Sequence, residues 1–324
     1  MSKVALITGI NGQDGSYLAE FLDKKGYEIW GTVKRNSVAE NQTARLNDNL
    51  FSKLNLEYAD LNDLSSLIRI IKLSQPDEIY NLAAQSHVRI SFDQPIYTSQ
   101  TTGIGTLKLL EAVKLTKPDA KVYQASSSEM FGNSLDDDGY QRETTPLHPV
   151  SPYGCAKVFS YNICRNYRNS YGMFVSNGIL FNHESPRRGT NFVTNKVVKA
   201  AVQIKYGLKN ELALGNLDAT RDWGHAEDFV EAMWLMLQQE KPGDYVCATG
   251  VSHSVRDLCE YVFTKLGLNY KDYVKVDPKY FRAEELHDLK GDSSKLRKLG
   301  WKPKHDFVSL LDDMINYWSV KYIK

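Results

Sequence analysis

The stretch VALITGINGQDG, residues 4–15, decides how the rest of the chain is read. Residues 4–7 form a short unbroken apolar run, the pattern of a strand buried on both faces. Glycines follow at 9, 12 and 15. Their spacing permits a tight turn, close approach of backbone to a pyrophosphate, and tight packing of helix on strand. Residues 13–25 then carry Tyr17, Leu18, Phe21 and Leu22 on one helical face, and Gly26 stands where helices end. A glycine pattern alone also fits a plain strand-to-helix turn. Its place between strand and helix favours a bound dinucleotide, whose phosphates would meet the helix N-terminus.

Outward from this unit, strands are expected at 28–33, 54–58, 78–82, 121–126 and 174–180, with helices at 64–73, 103–115 and 152–171. The alternation predicts an α/β chain with a Rossmann-like doubly wound parallel sheet. Residues 1–178 are read as the dinucleotide-binding domain, with return elements from about 215–250. Residues 179–324 read mainly as a smaller mixed α/β substrate domain at the sheet's C-terminal edge, where ligands of open α/β sheets bind. Helices are expected at 226–238 and, behind the capping residue Asp306, through Phe307, Leu310, Leu311, Met314 and Trp318.

Composition narrows the partners. The 324 residues are 42% apolar and 24% charged with net charge +1, so no global field favours nucleic acid or a membrane surface. No apolar run reaches the roughly 18 residues of a span. The N-terminus is too short in apolar length for a signal peptide. Cys155, Cys164, Cys247 and Cys259 match no zinc or redox spacing and are expected as reduced core or near-core residues of a cytoplasmic protein. The seven histidines show no pair at metal-ligand spacing, so no metal is expected.

The second strand bears on the dinucleotide. NAD enzymes usually carry an acid after it, for the ribose diol. Here the chain runs into Lys34-Arg35-Asn36-Ser37. A cation suits a 2′-phosphate, and arginine can grip one with paired donors, which points to NADP. The alternative is a solvated basic turn. By position, Asp60 and Leu61 could meet the adenine, and the small residues of 82–86 could lie against the ribose.

Two further stretches carry chemistry. In SPYGCAK, residues 151–157, Ser151 can cap a helix and Pro152 suits its first turn. Tyr153 and Lys157 then share a face. A nearby ammonium is expected to lower the tyrosine's pKa from about 10, making its phenolate a base toward a sugar hydroxyl. A surface tyrosine and lysine one turn apart is the plain alternative. In QASSSEMFG, residues 124–132, persistent extended geometry would turn Ser127 and Glu129 to one side. Ser127 can bond the reacting hydroxyl. Glu129 becomes useful where a C–H acid beside a new ketone must be deprotonated and a hydroxyl must then leave. A capping role for Glu129 is the alternative.

With these motifs the chain resembles the extended short-chain dehydrogenase/reductases and, within them, the family of GDP-mannose 4,6-dehydratases. The similarity also runs through EIYNLAAQSHVRISFD (78–93), NGILFNHESPRRGTNFVT (177–194) and GNLDATRDWGHAEDFVEAMWLML (215–237). It implies NADP contacts at Gly9, Asn11, Gly12, Gln13, Asp14, Gly15, Arg35, Asn36, Ser37, Asp60, Leu61, Leu82, Ala84, Ser86, Tyr97, Lys157, His183 and Arg188. It implies catalysis by Ser127, Glu129, Tyr153 and Lys157. A GDP-sugar would be held by Ser86, Asn182, Glu184, Asn191, Lys196, Gly215, Arg221, Arg282 and Glu285. A homo-tetramer or homodimer is implied, with segment 35–45 reaching a neighbour's cofactor. Departures are Ser127 where the family often has threonine, a longer, more acidic segment 133–140, and YFRAEELHDL at 280–289, which lacks a familiar proline.

The expected reaction is redox-neutral dehydration: oxidation at C4, loss of water across C5–C6, and hydride return to C6, giving a GDP-4-keto-6-deoxy sugar. The same chemistry on a GDP-manno-heptose, and an NADP-dependent nucleotide-sugar reductase or epimerase, are the other readings.

Overall fold

The structure is a computed structural model that describes residues 2–36, 44–281, 284 and 286–323. Its strands are β1 (Val4–Thr8), β2 (Glu28–Val33), β3 (Asn55–Tyr58), β4 (Glu78–Asn81), β5 (Lys121–Ser127) and β6 (Val175–Leu180), then β7 (Asn182–Glu184), β8 (Leu212–Leu214), β9 (Thr220–His225), β10 (Asp244–Cys247), β11 (Ser252–Ser254) and β12 (Val274–Val276). Seven of them form one sheet in the order β10-β6-β5-β4-β1-β2-β3. Every pairing in it is parallel. Order reverses between β1 and β4, and this switch point opens the crevice at the C-terminal strand ends.

Burial on both faces explains the apolar strands. Helices Gln13–Lys24 and Ala226–Leu237 cover one face, packing Leu18, Leu22, Phe229 and Met233 with Ile7 and Tyr123. Helices Leu64–Ser74, Gly105–Thr116 and Pro152–Tyr171 cover the other through Ile70, Leu109, Cys164 and Tyr167. Burial of each large apolar side chain contributes on the order of 1.5–3 kcal/mol. At the opposite edge from the crevice, Glu78 accepts from Lys3 (2.9 Å), Tyr27 (3.2 Å), Tyr80 (2.7 Å) and Gln238 (3.1 Å).

A second core lies among helices Val193–Lys205, Val255–Lys265 and Phe307–Tyr322. The first two of these are additions to the sequence reading. With them go β7, β9 and β11 in one small sheet and β8 paired with β12 in another. The expected helix at 103–115 begins at Gly105, preceded by a π-helical turn, Ser99–Ile104. The acidic segment 133–140 is a structural clasp: Asp136 and Asp138, with Asp292, pair with Arg142 at 2.6–2.9 Å. Cys164, Cys247 and Cys259 are buried as expected, but Cys155 is exposed, since helical phase turns it away from its Tyr153 and Lys157 neighbours. No described helix is long and apolar enough to cross a membrane.

Candidate active site

The glycine loop has the geometry its spacing implies. Gly9 adopts φ +69°, and the Gly12 amide donates to the Gly9 carbonyl at 2.9 Å. A Cβ at Gly15 would lie 2.4 Å from the Gly9 oxygen, so only glycine lets the helix sit this close. Gly12 caps helix Gln13–Lys24 without a side chain, which leaves the first turn shaped for a phosphate. These residues fit a dinucleotide.

The loop is tied to β7. His183 Nε2 meets Asp14 Oδ2 at 2.8 Å, and its Nδ1 meets the Phe181 carbonyl at 2.7 Å. Gln13 donates to the His183 carbonyl (3.0 Å) and accepts from Ser185 (2.8 Å). Burial opposes charge on both partners. The pairing outweighs it, holding Asp14 down to about 2 and raising His183 above its ordinary value. With both nitrogens engaged and its ring stacked on Phe229, the His183 imidazole is a seam between elements. Arg45 also reaches the loop within its own chain, donating to the carbonyls of Arg187 (2.8 Å) and Asn11 (3.4 Å).

At the neighbouring strand ends, Lys34 pairs with Asp60 (3.1 Å) and donates to the Tyr97 hydroxyl (2.9 Å). Part of the expected cationic charge is therefore already neutralised, while Arg35 and Asn36 are exposed beside it. Leu61 is buried, Leu82 and Ala84 are half-buried, and Ser86 is exposed. Ser37, Arg282 and Glu285 lie outside the described residues.

The catalytic candidates converge across β5 and helix Pro152–Tyr171. Ser151 caps that helix, accepting from the Gly154 amide at 3.0 Å, and Pro152 occupies its first position. Tyr153 and Lys157 are buried, and the Tyr153 and Ser127 hydroxyls are hydrogen-bonded. Strand geometry does not persist to Glu129. β5 ends at Ser127, whose hydroxyl caps a 3-10 turn, Ser128–Met130, by accepting from the Glu129 amide at 3.2 Å. That turn, rather than strand alternation, buries the Glu129 carboxyl close enough for its charge to act on Tyr153.

The expected effect of Lys157 on Tyr153 is also corrected. Lys157 Nζ donates to the Ala125 carbonyl at 2.6 Å and lies 5.7 Å from the Tyr153 ring centre. Burial pushes Tyr153 up to about 12, against the Ser127 hydrogen bond, and the Glu129 charge adds to the rise. Burial likewise lowers Lys157 to about 8, opposed by the charge of Asp14.

The expected sugar-nucleotide residues are spread over β7, β9 and the loops beside them. Glu184 is buried, pairs with Arg188 (3.1 Å) and accepts from Thr194 (2.5 Å). Arg188 also lies 3.6 Å from the Phe192 ring centre. These two side chains hold each other. Asn182 is half-buried at the start of β7, and Asn191 is exposed. Lys196 donates to the Ala213 carbonyl (2.7 Å) and lies over Tyr280 (3.9 Å). Gly215 sits so close to Tyr280 that a Cβ would be 2.7 Å from its carbonyl oxygen. Arg221 is buried and donates to the carbonyls of Thr220 (2.6 Å) and Leu286 (3.1 Å).

Folding also gathers histidines that are far apart in sequence. His225, Glu227 and His305 come together, with the two imidazoles stacked at 4.2 Å. His225 Nδ1 accepts from the Glu227 amide (3.1 Å), so Nε2 carries the proton directed at Asp313 (3.2 Å). Both nitrogens serve a helix cap and a carboxylate contact.

Comparison with known proteins places this geometry. The family profile "GDP-mannose 4,6 dehydratase" matches residues 6–314. GDP-mannose 4,6 dehydratase 2 of Arabidopsis thaliana is 53% identical, with 97% of this chain and 86% of that protein aligned. The GDP-mannose 4,6 dehydratase of Homo sapiens is 48% identical over 97% of this chain and 91% of its own. Among solved structures, UDP-glucose 4-epimerase of Thermotoga maritima superposes with TM-score 0.86 at 23% identity, covering 99% of this chain and 100% of its own. That likeness speaks to the fold. The sequence relationships speak to the family: this chain belongs to the GDP-mannose 4,6-dehydratases, within the extended short-chain dehydrogenase/reductases.

Proposed function

We propose that this chain is a nucleotide-sugar hydro-lyase that converts GDP-mannose to GDP-4-keto-6-deoxy-mannose. The observation that carries the reading is the burial of Glu129 beside the Ser127–Tyr153 pair. Oxidation of a carbinol needs only the hydroxyl pair. A carboxylate added to it supplies the acid–base group that elimination of water requires.

The glycine loop, the strand ends from Asp60 to Ser86, and Lys157 would hold a nicotinamide dinucleotide. Solved structures of the same fold include RMD of Pseudomonas aeruginosa complexed with NADPH and dTDP-glucose 4,6-dehydratase of Bacillus anthracis in complex with NAD. We read the cofactor here as NADP, because Arg35 stands exposed where an NAD enzyme carries an acid. Bound, it supplies the hydride acceptor for C4 and the donor for C6.

The chain's own residues move the protons. Tyr153 takes the proton of the 4-hydroxyl, with Ser127 fixing that hydroxyl and Lys157 supplying positive charge. Glu129 removes the C5 proton once a 4-ketone has acidified it. It then returns a proton to the departing 6-hydroxyl, which leaves as water, and C5 regains a proton as hydride returns to C6, which balances the proton taken up by Tyr153. Because hydride leaves and returns within one turnover, the reaction consumes no reductant. A homo-tetramer in a reducing compartment such as the cytoplasm fits the family assignment.

Incubation with GDP-mannose and a catalytic amount of NADP⁺ tests the reading. A 4-keto-6-deoxy product without net NADPH change is expected. An intact 6-hydroxyl in the product would point to an epimerase, and stoichiometric NADPH consumption to a reductase. Preferred turnover of GDP-manno-heptose would move the substrate assignment.

A further inference from the structure

A chain of buried hydrogen bonds joins the strand before the glycine loop to the lysine of the catalytic helix. The amides of Leu82 and Ala83 donate to Thr8 Oγ1, each at 3.1 Å. Thr8 Oγ1 donates to Asn81 Oδ1 (2.7 Å), and Asn81 Nδ2 donates to Gln124 Oε1 (2.7 Å). Gln124 Nε2 donates to the Ala125 carbonyl (3.1 Å), which also accepts from Lys157 Nζ (2.6 Å). Thr8, Asn81, Gln124 and Lys157 are all buried.

We infer that Gln124 is a positioning residue for the reaction: anchored by Asn81, it fixes the Ala125 carbonyl to which Lys157 Nζ donates, and by sharing that oxygen it limits how firmly the ammonium is held. The inference rests on the role proposed above for Lys157. Gln124 itself is assigned no contact with substrate or cofactor.

Direction is the first support. Every donor in the chain points toward Ala125, so the aligned bonds strengthen Gln124 as a donor, and it competes with Lys157 for the shared carbonyl oxygen. The Gln124 amide has one orientation that satisfies both neighbours, because Asn81 presents a donor to it and Ala125 an acceptor. Need is the second support. A buried ammonium depends on how strongly its acceptors hold it, and Lys157 shares the Ala125 carbonyl with Gln124. The other titratable groups acting on Lys157 or beside it are Asp14, from the glycine-loop helix, and Tyr153 and Cys164, from its own helix. Burial lowers the Lys157 pKa to about 8, so a small change in how it is held shifts its charge near neutral pH.

The test reads Lys157 directly in the full-length protein, by pH titration of its side-chain ¹³Cε resonance, identified by its loss in Lys157→Met. In Gln124→Met the midpoint should rise by roughly half a pH unit to one unit, the equivalent of one hydrogen bond, because the Ala125 carbonyl is left to Lys157 alone. The alkaline limb of kcat should move with it while the KM for GDP-mannose stays within about twofold. Tyr80→Phe, which loses a buried bond to Glu78 at the far edge of the sheet, should change stability and leave the midpoint alone. An unmoved midpoint in folded Gln124→Met overturns the inference. If that variant does not fold, Asn81→Ser should give a smaller shift of the same sign, and an unmoved midpoint there overturns it equally. Absence of GDP-mannose turnover by the wild type, with the shift present, would instead strike the proposed function and leave the Gln124–Lys157 coupling standing.

Discussion

His183 Nε2 lies 2.8 Å from Asp14 Oδ2, so β7 is fastened to the first turn behind the glycine loop. The two groups bracket a pH window. Asp14 is depressed, so its contribution is present above the ordinary carboxylate value of 3.8 and is lost as pH falls toward about 2. His183 is raised, so its contribution is full below the ordinary 6.5 and is lost as pH climbs through its folded value. Asp14→Asn should cost about 2 kcal/mol between these limits and less on either side. Urea unfolding across pH measures it.

Glu129→Gln keeps the size of the side chain and removes its basicity. Nucleotide-sugar binding should stay within a few-fold. Product formation should fall by about 10²–10⁴-fold, the usual value of a general acid–base group. Hydrogen exchange at C5, followed by NMR in deuterated water, should stop. Undiminished exchange would remove Glu129 from the elimination step.

Gly15→Ala places a Cβ 2.4 Å from the Gly9 oxygen, against backbone that has no rotamer to yield. A loss of about 1–3 kcal/mol in stability is expected from this overpacking. Dinucleotide affinity should drop with it, because the displaced backbone is the proposed phosphate cradle. Calorimetric melting with and without NADP⁺ separates the two effects.

Arg35→Glu tests the choice of dinucleotide. Loss of one charge-assisted contact corresponds to about 1.5–3 kcal/mol, so NADP affinity should weaken by roughly 10- to 100-fold. Affinity for NAD should hold or improve. Equal weakening of both would mean that Arg35 does not meet a 2′-phosphate.

Glu78→Ala probes the sheet far from the crevice. It strands the buried Tyr80 hydroxyl and frees Lys3 and Gln238. Stability should fall by about 2–3 kcal/mol. The kcat of the folded enzyme should not change, since no link of the Thr8–Gln124 chain runs through Glu78.

The helix that carries Tyr153 and Lys157 was legible because its signals are local. Ser151, Pro152, Tyr153 and Lys157 specify a cap, a first turn and a shared face within seven residues. Glu129 was legible as a residue and misread in geometry, since a strand's end depends on what caps it. Gln124 passed unremarked. A glutamine in a strand has no local signal of function; its partners come from residues 81 and 125 and, through a carbonyl, from residue 157.

Sequence alone determined the parallel α/β order, the glycine loop and the Tyr153–Lys157 pair, because each depends on periodicity, backbone freedom or spacing along one element. Tertiary structure decided the charges. Burial pushes Tyr153 up and Lys157 down, opposite to the effect expected of an ammonium one turn away. Folding also decided which expected ligand residues hold one another, as His183 does Asp14 and Glu184 does Arg188. Desolvation and long-range pairing depend on what the whole chain packs around a group, which no local stretch encodes.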